Sequence, residues 1–161
     1  MNIFALDCDP KLAARYHVDK HVGKMLIEYA QLMSTCHFAF KTAAADIVYK
    51  PTHFNHPSTK WVRASRENYD WLYQLWKHLH DEFKYRYGKG HKSYLDLSWV
   101  LADAPTDLSH RGLLPVTLAM PDEFKKPCET FADSVECYRD YYSKMKVNLH
   151  SWKNREIPSW I

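Results

Sequence analysis

Residues 17–33 read His17-Val18-Asp19-Lys20-His21-Val22-Gly23-Lys24-Met25-Leu26-Ile27-Glu28-Tyr29-Ala30-Gln31-Leu32-Met33, and this stretch decides the fold class. His17, His21, Lys24, Glu28 and Gln31 recur at intervals of four, three, four and three. At about 100° per residue they fall within roughly 80° of one another on a helix. Leu12, Tyr16, Val18, Val22, Met25, Leu26, Tyr29 and Met33 supply the apolar side of the same segment. The pattern predicts a long amphipathic helix with an unusual polar stripe. Two imidazoles, an ammonium, a carboxylate and an amide in a row can bind phosphate, hold a metal or move protons. As a purely structural feature they form a solvated face.

Working outward, Asp9-Pro10 is a helix start, with Asp as cap and Pro at the first helical position. The helix is expected to run from there to about Phe40. Gly23 lies inside it, at a helix-propensity cost of about 1 kcal/mol, and opens the stripe to close approach by another element or a ligand. Upstream, Asn2 to Leu6 is a short apolar run compatible with one strand. Downstream, residues 46–57 form a loop containing Thr52-His53-Phe54-Asn55-His56-Pro57. Ser58 can cap a second long helix, with Gly88 as its stop. Its core face is Trp61, Tyr69, Leu72, Leu75, Trp76, Leu79 and Phe83. Ser65, Asn68 and Arg86 fall inside that arc and need partners there. Arg86, near the helix end, is expected to emerge at a pocket edge or to make a structural hydrogen bond.

A third helix is expected over Tyr94 to Ala102 and a last one over Thr130 to Lys146, the latter burying Phe131, Val135, Tyr138, Tyr142 and Met145. Between them, residues 103–127 carry four prolines and read as loop. The fold class is mainly α: one compact helical domain over 1–161, two long helices, irregular proline-containing loops and little or no sheet.

Composition agrees. Of 161 residues, 46% are hydrophobic and 25% charged, which excludes a disordered chain. Only four glycines argue against a turn-rich all-β fold. The net charge of +3 is compatible with nucleic-acid or nucleotide binding without requiring it. Ten histidines are many, and a local excess of His more often serves function than packing. Cys8, Cys36, Cys128 and Cys137 form no CxxC pair. With no signal peptide and no long apolar run, a cytoplasmic protein with reduced thiols is expected.

Three groups of residues can carry chemistry. In Arg86-Tyr87-Gly88-Lys89-Gly90-His91-Lys92-Ser93, two glycines, three basic side chains and a following helix N-terminus favour a phosphate. The spacing is not that of a Walker loop. His53 and His56, flanking Asn55, could join His17 and His21 at a metal. No HExxH motif or carboxylate spacing accompanies them, so hydrogen bonds to phosphate or base are expected instead, with no metal or cofactor. Asp19 on the apolar side is either a structural anchor or an acid that stabilises a cationic sugar. Lys20 and Lys24 are the candidate amine nucleophiles, with His21 beside them.

Several of these stretches together resemble a family of small proteins encoded mainly by bacteriophages and often labelled pyrimidine-dimer DNA glycosylases. The resemblance rests on Asp7-x-Asp9-Pro10, His17-x-Asp19-Lys20-His21-Val22-x-Lys24-Met25, Thr52-His53-x-Asn55-His56-Pro57 and Trp61-Val62-Arg63-x-Ser65-x-x-Asn68-Tyr69. It continues through Arg86-Tyr87-Gly88-Lys89-x-His91-Lys92 and Ala119-Met120-Pro121-Asp122-Glu123 and so covers most of the chain. It implies an enzyme that cleaves an N-glycosidic bond in DNA. The well-understood dimer glycosylase uses the amine of a Thr after the initiator Met. Asn2 stands here, so the resemblance does not supply the nucleophile.

In this reading Asp19, Lys20, His21 and Lys24 are catalytic. Substrate or phosphate is held by His17, Glu28, His53, Asn55, His56, Arg63, Asn68, Arg86, Lys89, His91 and Lys92. Trp61, Tyr69 and Tyr87 stack on an extruded base. The alternative is a phage protein that sequesters a nucleotide signal in the same pocket without turnover. Either way the partner is DNA or a nucleotide, not a membrane, and both readings place the stripe and the Gly88–Ser93 turn on one cleft.

Overall fold

The computed structural model describes residues 1–161 and is all-α, with no β-strand. Its helices are α1 (Pro10–Tyr16), α2 (Asp19–Ala39), α3 (Pro57–Val62), α4 (Arg66–Tyr87), α5 (Lys92–Leu101) and α6 (Phe131–Met145). Helix α4 packs on α1 and α2, while α5 and α3 flank α2. A single hydrophobic cluster joins them, with Trp76, Tyr29, Tyr69 and Tyr142 fully buried within it. No helix is long and apolar enough to cross a membrane.

The expected first helix is two helices, broken at His17 and Val18, whose backbones are extended. Tertiary partners capture the carbonyls that would have continued it. His17 Nδ1 donates to Ala13 O at 2.7 Å, and Trp152 Nε1 donates to Tyr16 O at 2.9 Å. Arg86 donates to Arg15 O at 2.9 Å and to His17 O at 2.8 Å. The freed amides are also met: Val18 N–H donates to Tyr142 Oη and Asp19 N–H to Ser151 O, at 2.9 and 2.8 Å. The carbonyls of Arg15, Tyr16 and His17 and the amides of Val18 and Asp19 thus have partners from α4, α6 or the C-terminal tail, as burial requires.

The second expected helix also divides, at Arg63–Ser65. His56, not Ser58, caps α3: its Nδ1 accepts the Ser58 N–H. Ser65 caps α4, its hydroxyl accepting the Glu67 N–H. Asn68 then closes the corner, donating to Trp61 O at 2.8 Å and accepting from Leu114 N–H at 2.9 Å. The polar residues inside the apolar arc mark the break. Gly88 ends α4 in the left-handed conformation, φ +68°, as expected of a glycine stop. Thr130 and Asp133 form a reciprocal capping box at the start of α6.

Residues 2–6 form no strand. Ile3 to Leu6 run buried through the core in two successive three-residue turns, Ala5 N–H donating to Ile3 O and Leu6 N–H to Phe4 O, and the Phe4 amide is taken by Tyr29 Oη rather than by a neighbouring strand. Gly23 admits Phe83 of α4: a Cβ there would lie 3.5 Å from the Phe83 ring, an ordinary contact. Gly23→Ala is therefore expected to stabilise the protein by about 0.5–1 kcal/mol through helix propensity. Urea unfolding measures it, and a loss of stability would mean that Phe83 cannot yield.

Candidate functional site

Glu28 is the centre of the polar stripe. Its carboxylate is only 16% exposed, with Lys24 Nζ 3.3 Å from Oε1 and the Met1 α-ammonium 3.8 Å from Oε2. His56 belongs to the same cluster. Partial burial lowers its pKa, the Met1 ammonium and His53 lower it further, and Glu28 opposes them. The His53 and His56 rings meet edge to face at 6.4 Å. His53 has a left-handed backbone, φ +49°, which turns the loop so that its carbonyl accepts from Thr59 Oγ1. That hydroxyl also lies 3.9 Å from Met1 Sδ. An acid, an amine and two imidazoles thus share one surface, and His21 continues it one turn before Lys24. Met1 carries no sequence signal for this place; only the fold brings its backbone nitrogen there.

His21 is buried, stacked on Phe4 at 4.6 Å. Tyr142 Oη accepts the Val18 N–H, so its own proton goes to His21 Nδ1 at 2.8 Å. That leaves the ring proton of the neutral imidazole on Nε2, a donor. Burial pushes the His21 pKa down to about 4, helped by Lys146, Lys24 and Lys20. Lys20 is exposed and makes no ion pair.

His17, expected on the stripe, lies outside α2 and is fully buried. Nδ1 is used on Ala13 O, and Nε2 accepts from Tyr29 Oη at 2.9 Å, so no substrate reaches it. Arg86 is not at a pocket edge. It is 2% exposed and donates to Glu82 and Asp19 as well as to the two α1 carbonyls. Asp19 is an anchor: its oxygens accept from Arg86, Ser151 Oγ and the Lys153 amide. Burial would raise its pKa, but these hydrogen bonds outweigh burial and hold it low. Asn68 is spent on the α3–α4 corner. Arg63 folds over Phe54, donating to its carbonyl at 2.7 Å, with the guanidinium 4.2 Å from the ring. Trp61 and Tyr69 are core residues and offer no face to a base; Tyr87 remains exposed.

The Gly88–Ser93 turn sits on a different face of α2. Ser93 Oγ donates to Leu26 O at 3.1 Å, and Phe83, beside the turn, packs at Gly23. Gly23 and Glu28 are five positions apart, about 140° round a helix. The turn and Glu28 therefore face different sides of α2. In the turn itself Lys89 is exposed, His91 caps α5, and Lys92 pairs with Asp96 at 2.6 Å. Asn55 is exposed in the His53–His56 loop.

The largest cleft, about 480 Å³, lies beyond the C-terminal end of α2, between Lys41–Ala44 and Trp99–Asp107, and includes none of the stripe. No three His, Cys, Asp or Glu side chains converge as metal ligands would. Comparison with protein-family models, curated proteins and solved structures gave no match.

Proposed function

We propose that the Glu28 cluster is the active centre of an enzyme that cleaves an N-glycosidic bond in DNA, as the resemblance to the phage glycosylase-labelled family implies. One observation carries the reading: a half-enclosed carboxylate with Lys24 Nζ at 3.3 Å and imidazoles alongside. Amine and carboxylate are the groups that this chemistry needs. The Lys24 ammonium gives a proton to the base, the C1′–N bond breaks as the base leaves, and the amine so freed bonds to the cationic C1′. The sugar ring then opens to an imine, which water hydrolyses to regenerate the amine. Glu28 stabilises the cationic sugar in the transition state, as carboxylates do in glycoside cleavage. His21 Nε2–H and the His53–His56 loop orient the flanking phosphate. The cluster lies on the surface rather than in a cavity, which suits a duplex from which the base is extruded.

Borohydride reduces an imine, so the wild-type chain is expected to give a covalent adduct with DNA carrying a cyclobutane pyrimidine dimer or an abasic site. Lys24→Ala should abolish the adduct at Lys24, and Glu28→Gln should slow its formation by about a hundredfold or more. Peptide mapping assigns the amine. Absence of adduct and strand cleavage with both substrates would remove the glycosylase reading. The second reading, nucleotide binding without turnover, would then rest on a rise in melting temperature with a nucleotide.

A further inference from the structure

A second charged surface lies away from Glu28, on α1, α4 and the C-terminal tail. There a cavity of about 410 Å³ is lined by Lys11, Arg15, His78, Asp81, Glu82, Tyr85 and Arg155. A smaller one of about 240 Å³ shares Arg15 and Arg155 with it and extends the groove towards Ile157–Ser159, past Glu156. We propose that this groove binds a phosphate group through Lys11, Arg15 and Arg155.

Three cations, Lys11, Arg15 and Arg155, face three carboxylates, Asp81, Glu82 and Glu156, so the N–H groups left without a partner, not net charge, select the ligand. Glu82 is neutralised within the fold: Arg155 donates to both its oxygens at 3.1 and 2.6 Å, and Arg86 donates to Oε2 at 3.1 Å. Asp81 stands at the rim, 62% exposed, with His78 Nδ1 at 3.6 Å. Glu156 is exposed in the smaller cavity. Lys11 and Arg15 have exposed side chains that make neither an ion pair nor a hydrogen bond. Arg155 is oriented in advance. Nε and Nη2 are fixed on Glu82, the guanidinium lies 3.9 Å from the centre of the Tyr85 ring, and Nη1 has no partner. Arg15 is held at its backbone, where Arg86 donates to the Arg15 carbonyl. Two free cations and one fixed guanidinium with a spare N–H converge on one groove, the arrangement that recognises phosphate oxygens.

The phosphate could be free, on a nucleotide, or in a DNA strand. This inference does not depend on the glycosylase reading, since it uses none of the Glu28 residues. It is tested at low salt with three probes: inorganic phosphate, thymidine monophosphate and a short fluorescein-labelled thymidine oligonucleotide. Lys11→Gln/Arg15→Gln keeps every backbone group and touches no internal hydrogen bond, so its unfolding curve should match wild type. It is expected to weaken binding about tenfold or more and to lower the salt slope of oligonucleotide binding by about two. Lys126→Gln, an exposed lysine that lines neither cavity, should leave both unchanged. Much tighter binding of the oligonucleotide than of phosphate identifies a strand; equal binding identifies a free phosphate. The proposal is overturned if no probe binds, if the double variant binds as wild type, or if Lys126→Gln weakens binding as much.

Discussion

Arg86→Ala is expected to destabilise the protein by about 3–5 kcal/mol, a large part of the total stability of a domain this size. The guanidinium is fully enclosed and spends its N–H groups on Glu82, Asp19 and the carbonyls of Arg15 and His17. Alanine leaves a buried Glu82 with one cation instead of two and uncaps the carbonyls at the α1–α2 break. Arg86→Lys should recover little of the loss, because a single ammonium cannot reach carboxylates and carbonyls on both sides of a planar fork. Urea unfolding at neutral pH reads the difference. A loss below about 1 kcal/mol would mean that water replaces the guanidinium, and that the break is held by the tail alone.

Acid should unfold the protein well above the range where carboxylates alone act. Unfolded, His17 and His21 protonate near pH 6.5. Folded, burial holds them neutral down to about 3 for His17 and about 4 for His21. Between these limits the unfolded chain binds more protons, so their contribution is full above pH 6.5 and is lost as pH falls. The slope is about 1.4 kcal/mol per pH unit for each imidazole, roughly 3 kcal/mol in all between pH 6.5 and 5. His17 has a structural reason to resist protonation. Its Nδ1–H already donates to Ala13 O, and Nε2 receives the Tyr29 hydroxyl proton, so a second ring proton would meet a donor. Urea midpoints at several pH values measure the effect. A flat profile from about pH 7.5 to 5, or a His17 ring resonance that titrates near 6, would contradict it.

The end of α4 at Gly88, the span of α6 and the proline-rich loop were legible in the sequence because local chemistry sets them. The breaks at His17 and Arg63 were not. The first arises where side chains far away in sequence, Arg86, Trp152 and Tyr142, take the backbone groups that a continuous helix would use; at the second Asn68 takes the Trp61 carbonyl and is itself held by the Leu114 amide. The same cause governs the site residues. Lys24 and Glu28 are neighbours by helical spacing alone, and the His53–His56 pair is local. Whether a polar residue on a core face serves a ligand or the fold depends on its partners, and periodicity does not contain them. Arg86, Asp19, His17 and Asn68 look alike to a ligand-binding set in sequence; in space each is satisfied by the protein itself. Arg155 shows the converse: nothing in its tail segment marks it until Glu82 and Tyr85 fix its orientation.

The buried N-terminal segment from Asn2 to Asp7 is tied to the far end of the chain, which bears on biosynthesis. Tyr138 Oη bonds Asn2 Oδ1 at 2.8 Å, and Arg139 holds Leu6 O at 2.7 Å and Asp7 at 2.6 Å, across sequence separations of 136, 133 and 132 residues. Val18 and Asp19 likewise wait for Tyr142 and Ser151. Chains elongate at about 5–20 residues per second, so these groups remain without their partners for several seconds or more while the middle helices are made. Helices α4 and α5 can dock on α2 during that time, but the Ile3–Leu6 groove stays open until α6 leaves the ribosome. The last step of folding is then the closing of both ends over the α1–α2 junction, and a ribosome stalled before residue 138 would hold a helical intermediate with an exposed apolar slot, a natural substrate for a chaperone.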